Sequence, residues 1–430
     1  MVQLLKSARI LDAGQGNGEG MRVVDMLVDG TKIARIAEHI DLPEGAAAID
    51  ASRFLITPGF VNAHGHLAMT LLRGIADEVP LDVWLKDYMF PREALMTGED
   101  VYYGSLLALA EGIRSGTTTF AEMYFFEDDV ARAVEEVGVR ANLSIGTASP
   151  DNGRDKLEKS ERFVVRWNNK AGGRIKTSFG PHAPYTASPA FVRDNFERAR
   201  DLGVVVQFHL HETRGEIEDF TAKHGASPIT YYADQGFFDR PPRLVAAHCV
   251  HMSLRDVEIL HSAGASIALN IQSNLKLGSG IPDYQLLLDS GVNLCVGTDG
   301  AASNDNLDML EEVRTLGLVM RGSTMNASRI SNASLLEMAT GNGARALGFE
   351  DVGTLGEGAA ADLVLWNLDD ESFCPRNNVA SHLLWSASSR AVDSVMVAGS
   401  WVMEHRELTS IDLDKVRFEV ARRARRLAGT

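Results

Sequence analysis

The sequence predicts an α/β fold: a (β/α)8 TIM-type barrel with a small β-sandwich domain formed by both chain ends. Three observations lead there. From residue 57 to about 347, short apolar runs alternate with amphipathic segments, the pattern of parallel strands joined by crossover helices. Eight such runs can be counted, and eight is the number that closes a barrel. On either side of this region the chain reads as short strands punctuated by turns.

Residues 1–56 contain strand-like stretches at 21–29, followed by Gly30, and at 32–36, with no convincing long helix. Residues 57–349 are assigned to the barrel, with helices expected over 104–114, 128–136 and 188–201 and strands over 117–122 and 139–146. The eight strands should end near His66, Glu122, Thr147, His182, His211, His248, Asn270 and Asp299. After the glycine-rich turn at 353–358, short strands return at 362–366 and 394–403, so residues 350–408 should join 1–56 in one small domain. Residues 409–430 hold an Arg-rich terminal helix over 412–427, to which the sequence assigns no function.

The composition is that of a soluble globular chain: 430 residues, 45% apolar and 23% charged. A formal charge of −16 disfavours a nucleic-acid partner, which needs cations to displace counterions, and equally an anionic membrane surface. Cys249, Cys295 and Cys374 form no Cys-x-x-Cys pair, there is no signal-peptide profile, and no apolar stretch approaches the ~18 residues of a membrane span. A cytoplasmic, reducing location is the expectation, and self-association stays open.

The chemistry concentrates at strand ends. His64 and His66 follow an apolar run, and residues i and i+2 of a strand project to one side, roughly 6.6 Å apart along the backbone. Two imidazoles so placed can converge on one ion. His209 and His211, His248 and Asp299 end later buried runs, so one chain repeatedly ends its strands in metal-type residues. Alternation puts Gln207, His209 and His211 on one face and does not choose between the two histidines.

Six segments carry a resemblance. They are Pro58-Gly-Phe-Val-Asn-Ala-His-Gly-His-Leu-Ala-Met-Thr-Leu-Leu-Arg-Gly74, Phe179-Gly-Pro-His-Ala-Pro184, His209-Leu-His-Glu-Thr213, Ala247-His-Cys-Val-His251, Ser273-Asn-Leu-Lys-Leu-Gly278 and Gly297-Thr-Asp-Gly-Ala-Ala-Ser-Asn304. Together they resemble the amidohydrolase superfamily and, within it, are most similar to the 5'-methylthioadenosine / S-adenosylhomocysteine deaminases. The resemblance extends over nearly the whole chain.

The resemblance implies a metal held by His64, His66, His209 and Asp299, with His211 lining the pocket. Three neutral nitrogens and a carboxylate suit one Zn²⁺, and Fe²⁺ could take the same ligands. Relatives with two metals bridge them through a lysine of the fourth strand; here that strand's only lysine, Lys176, lies near its start, which favours one ion. The implied reaction is hydrolytic deamination of a small-molecule nucleoside, an adenosine derivative, to its inosine analogue and ammonia. His248 and Asp299 would hold and deprotonate water, and Glu212 would protonate a ring nitrogen and then the leaving amine. Glu93 would bind the ribose hydroxyls, Trp84 cover the base or sugar, His182 contact substrate, and Arg154 meet a substrate carboxylate. One departure is Leu269 where the relatives carry a histidine, which bears on the base or the 5' group. The alternatives are a relative acting on a guanine, pterin or triazine-type ring, and an inactive scaffold, against which the complete ligand set argues.

Overall fold

In the computed structural model, which describes residues 1–11, 20–151 and 153–429, eight parallel strands form a nearly closed barrel. In chain order they are Phe60–Asn62, Thr117–Tyr124, Arg140–Thr147, Ile175–Pro181, Val205–Leu210, Leu244–His248, Ser266–Leu269 and Asn293–Val296, and each pairs with the next. The seam between first and last is closed by the short pairing of Gly65–His66 with Asp299–Gly300 and by Ala63 N–H donating to Val296 O at 2.9 Å. The segment that closes the barrel therefore also carries the His-x-His pair.

Small side chains fill the barrel interior, among them Val61, Ala63, Ala121, Val205, Val245, Ala268 and Cys295, and Leu347 and Phe349 plug its N-terminal mouth. A larger apolar layer lies between strands and helices. Buried on both faces, the strands read as continuous apolar runs, which is why they are visible in the sequence.

The helices expected at 128–136 and 188–201 occur as Glu127–Val137 and Pro189–Leu202. The helix expected from residue 104 starts earlier, at Gly98, because Thr97 and Asp100 form a capping box: each side chain accepts the other's backbone N–H. The apolar run ahead of His66 is also subdivided. Phe54–Pro58 belongs to a second sheet, Phe60–Asn62 to the barrel, and Gly59 makes the crossing where a Cβ would lie 2.1 Å from Thr118 Oγ1.

The small domain expected from both chain ends is a nine-stranded sheet, eight strands on one hydrogen-bonded path and Ala47–Asp50 paired alongside Val2–Leu11, with its own core of Leu5, Val24, Met26, Ile56, Leu363, Leu365 and Met396. Strands from both chain ends meet at its centre, where Phe54–Pro58 pairs antiparallel with Leu363–Asn367. The terminal helix runs Leu413–Ala428.

Sheet and barrel are joined by a buried ion pair. Arg140, at the start of the third barrel strand, donates from Nε to Asp362 Oδ2 at 2.6 Å and from Nη2 to Oδ1 at 3.1 Å. Asp362 also accepts from Ala398 N–H at 2.8 Å. Removing one partner strands the other charge in a dry environment. Asp362→Ala should cost about 3 to 5 kcal/mol in denaturant unfolding, whereas Glu158→Ala, at the exposed Arg154–Glu158 pair, should cost less than about 1 kcal/mol.

Candidate active site and metal centre

Two strand ends turn through left-handed backbone, at His248 (φ 71°) and Asp299 (φ 61°). Such values are uncommon outside glycine and persist only where the surroundings hold them. At Asp299 the surroundings do. Its N–H donates to His64 O at 3.1 Å, and its Oδ2 accepts from Ser273 Oγ at 2.7 Å and Ser303 Oγ at 2.8 Å.

The other carboxylate oxygen, Oδ1, is left facing the histidines, 3.5 Å from His64 Nε2 and 3.2 Å from His66 Nε2. His66 Nε2 in turn lies 3.4 Å from His209 Nε2. The opposite ring nitrogens meet carbonyls: His66 Nδ1 donates to Met123 O and His209 Nδ1 to His182 O, both at 2.7 Å. A carbonyl only accepts, so Nδ1 carries the proton in each ring and the Nε2 lone pairs face the centre. His64 Nε2 is buried with no hydrogen-bond partner.

Lone pairs converging on a buried carboxylate, beside an unpartnered nitrogen, fit a cation. Burial lowers His64 to about 4 and His209 well below the usual imidazole range, leaving both rings neutral at pH 7. Burial also opposes charge on His66, yet Asp299 and Glu122 outweigh it and raise this ring to about 9, so His66 would give up its Nε2 proton to ligate a cation. Asp299 stays ionised: burial works against it, but the neighbouring His64 and His66 rings hold it well below the usual carboxylate range. His64, His66, His209 and Asp299 would hold a divalent ion, and their donor set suits zinc.

The cluster opens into a pocket of about 250 Å³ lined by His182, His248, Glu212, Glu93 and Trp84 together with an apolar wall that includes Met69, Leu85 and Phe125. Asn274 Oδ1 accepts from His248 Nδ1 at 2.8 Å, which turns His248 Nε2 towards Glu212 Oε2, 3.9 Å away. Glu212 is buried, its Oε1 3.4 Å from Ser279 Oγ, and burial raises its carboxyl above the usual range. His182 bonds Thr186 Oγ1 at 2.8 Å, and burial lowers it to about 3. Across the pocket, Glu93 Oε1 accepts from Tyr124 O–H at 2.7 Å. Trp84 is buried with Nε1 unpartnered.

Two expected pocket residues lie elsewhere. Arg154 sits on the outer helix Arg154–Trp167, 84% exposed and paired with Glu158, so its guanidinium does not face the pocket. Within the loop that precedes it, residue 152 lies outside the described residues. His211 leaves the face it would share with His209 because its backbone turns left-handed (φ 53°); its ring is held by His251 O and Ile229 N. Gln207 lies in the barrel interior, donating to Ser178 Oγ at 2.8 Å. Lys176 bonds Gly348 O in the barrel floor, and Leu269 is fully packed, leaving Asn270 beside His248.

Sequence reading passed over Tyr124, because the second strand runs two residues past its expected end. It also passed over the orienting roles of Ser273 and Asn274, although both stand inside a quoted motif. If the cluster binds a metal, adding Zn²⁺ to chelator-treated protein at ~100 times its dissociation constant should raise the melting temperature by about 3 °C. His209→Ala should abolish that rise; calorimetry with and without zinc measures both.

Comparison with known proteins accords with this geometry. The amidohydrolase family profile matches residues 55–402. A 5-methylthioadenosine/S-adenosylhomocysteine deaminase of Carboxydothermus hydrogenoformans is 41% identical over 428 residues, 99% of this chain and 98% of the relative. The protein of the same name from Desulforudis audaxviator is 46% identical over 386 residues, 89% of each chain. Among solved structures, a zinc-bound adenosine deaminase from Xanthomonas campestris superposes with a TM-score of 0.91 at 31% identity, covering 100% of this chain and 99% of its own. A zinc-bound atrazine chlorohydrolase from Arthrobacter aurescens, 23% identical with a TM-score of 0.88 over 98% of this chain and all of its own, shares the fold. With a match that spans the barrel and the returning strands, and relatives aligned almost end to end, this chain belongs to the amidohydrolase family.

Proposed function

We propose that this protein is a cytoplasmic aminohydrolase that converts an adenosine derivative, 5'-methylthioadenosine or S-adenosylhomocysteine and also adenosine, to its inosine analogue and ammonia, with one Zn²⁺ per chain. The observation that carries this reading is a single pocket with a buried acid beside the ligand cluster at one end and a second carboxylate, Glu93, at the other. The deaminase relatives and the zinc-bound adenosine deaminase structure support it.

Hydrolysis needs an attacking water, a proton for the ring nitrogen and a proton for the departing amine. A divalent ion, when bound, supplies Lewis acidity that makes water a better nucleophile. Asp299, ionised and fixed by Ser273 and Ser303, accepts a proton as the water oxygen bonds to the amine-bearing ring carbon. His248, pinned by Asn274, orients that water. Glu212 keeps its proton more readily than an ordinary carboxyl and delivers it to the adjacent ring nitrogen. The proton accepted by Asp299 then reaches the amine, the carbon–nitrogen bond breaks and ammonia leaves, while the hydroxyl on the ring carbon becomes the product carbonyl and returns its proton to Glu212. At the far wall, Tyr124 occupies one oxygen of Glu93 and leaves the other to accept from a ribose hydroxyl.

Ammonia release from adenosine, methylthioadenosine, adenosylhomocysteine, guanine and cytosine tests the reading: nucleosides should be turned over and free bases not. Preference for a free base would overturn it. Glu212→Gln should keep metal and fold while lowering turnover by about 10² to 10⁴. Glu93→Ala should raise KM for nucleosides, and 2'-deoxy or 3'-deoxy analogues should already be poor substrates of the unmodified enzyme, because a site built to pair a hydroxyl penalises its loss.

A further inference from the structure

The terminal helix Leu413–Ala428 is the feature that the reaction leaves unused, and its arginines touch the substrate wall from behind. Residues 90–97, which carry Glu93, have little apolar anchorage of their own: Phe90 and Leu95 are 41% and 57% exposed, and only Met96 is buried. Polar contacts hold the segment. Arg426 donates from Nη1 to Leu95 O at 3.0 Å and from Nη2 to Asp100 Oδ2. Arg423 donates to Asp100 Oδ1 at 3.0 Å, and its guanidinium lies over the Tyr103 ring, 4.7 Å from the centroid. Asp100 is fully buried and also accepts from Thr97 N–H and Thr97 Oγ1, both at 2.7 Å.

The contacts continue into the pocket. The Met96 sulfur lies 3.7 Å from the Tyr124 hydroxyl, and that hydroxyl is the donor to Glu93. We infer that Arg426, with Arg423, is a positioning residue for substrate binding: it clamps the Leu95 carbonyl and the Asp100 cap so that Glu93 and Tyr124 keep the geometry that receives the sugar. This rests on the nucleoside reading above. Arg426 touches no substrate and acts only through the wall it fixes.

A double-mutant cycle decides the matter. Arg426→Ala should raise nucleoside KM about tenfold with little change in kcat or metal content, and should add nothing in a Glu93→Ala background, since residues acting through one contact are non-additive. Arg426→Lys, which keeps the charge but not the two-pronged reach, should recover part of the loss. Arg422→Ala, on the same helix but paired with Glu419, should leave KM unchanged. In Arg426→Ala, the amides of Leu95 and Met96, bonded to Arg92 O and Glu93 O, should exchange with solvent faster than in the parent. Unchanged KM and exchange, or the same KM increase with and without Glu93, would overturn the clamp. If the unmodified enzyme deaminates no nucleoside but acts on another ring, the proposed function fails, and the exchange of these amides still decides whether the helix holds the wall.

Discussion

Everything in this site depends on how the carboxylate of Asp299 is held. Its left-handed backbone turns the side chain inward, its N–H closes the barrel seam against His64, and two serine hydroxyls occupy one oxygen so that the other faces the His64 and His66 imidazoles. Backbone strain of this kind costs on the order of 1 to 3 kcal/mol and survives only where neighbours over-determine it. Barrel closure and ligand geometry are thus one structural fact, and a change that relaxes the turn at Asp299 disturbs both.

Burial then divides labour among the titratable groups. The same dry pocket that keeps His64 and His209 neutral makes Glu212 hold its proton, while Asp299 stays ionised because the His64 and His66 rings stand beside it. Two carboxylates a short way apart acquire opposite tasks, one donating and one accepting, from their neighbours alone. Glu93 works at the other end of the pocket, supported by Tyr124 and the segment behind it.

Much of this was legible in the sequence because buried parallel strands are apolar on both faces and end abruptly in polar residues. The alternation of strands and helices, the strand-end histidines and Asp299 all follow from that signal. The choice of His209 over His211 did not, since period-two alternation treats them alike and only the left-handed turn at His211 separates them. Arg154 stands on the solvent side of its helix, paired with Glu158, and position near a loop says nothing of side-chain direction. The early start of the helix at Gly98 was readable from Thr97 and Asp100, whereas the reach of Arg423 and Arg426 to that cap spans more than 300 residues and leaves no local pattern.

The most direct test is a crystal structure at the zinc absorption edge with an inert purine nucleoside bound. The account predicts one anomalous peak among His64, His66, His209 and Asp299, the ring nitrogen within hydrogen-bond reach of Glu212, and the ribose hydroxyls on Glu93. A second metal in the pocket, or a nucleoside turned so that its sugar meets Glu212, would contradict it.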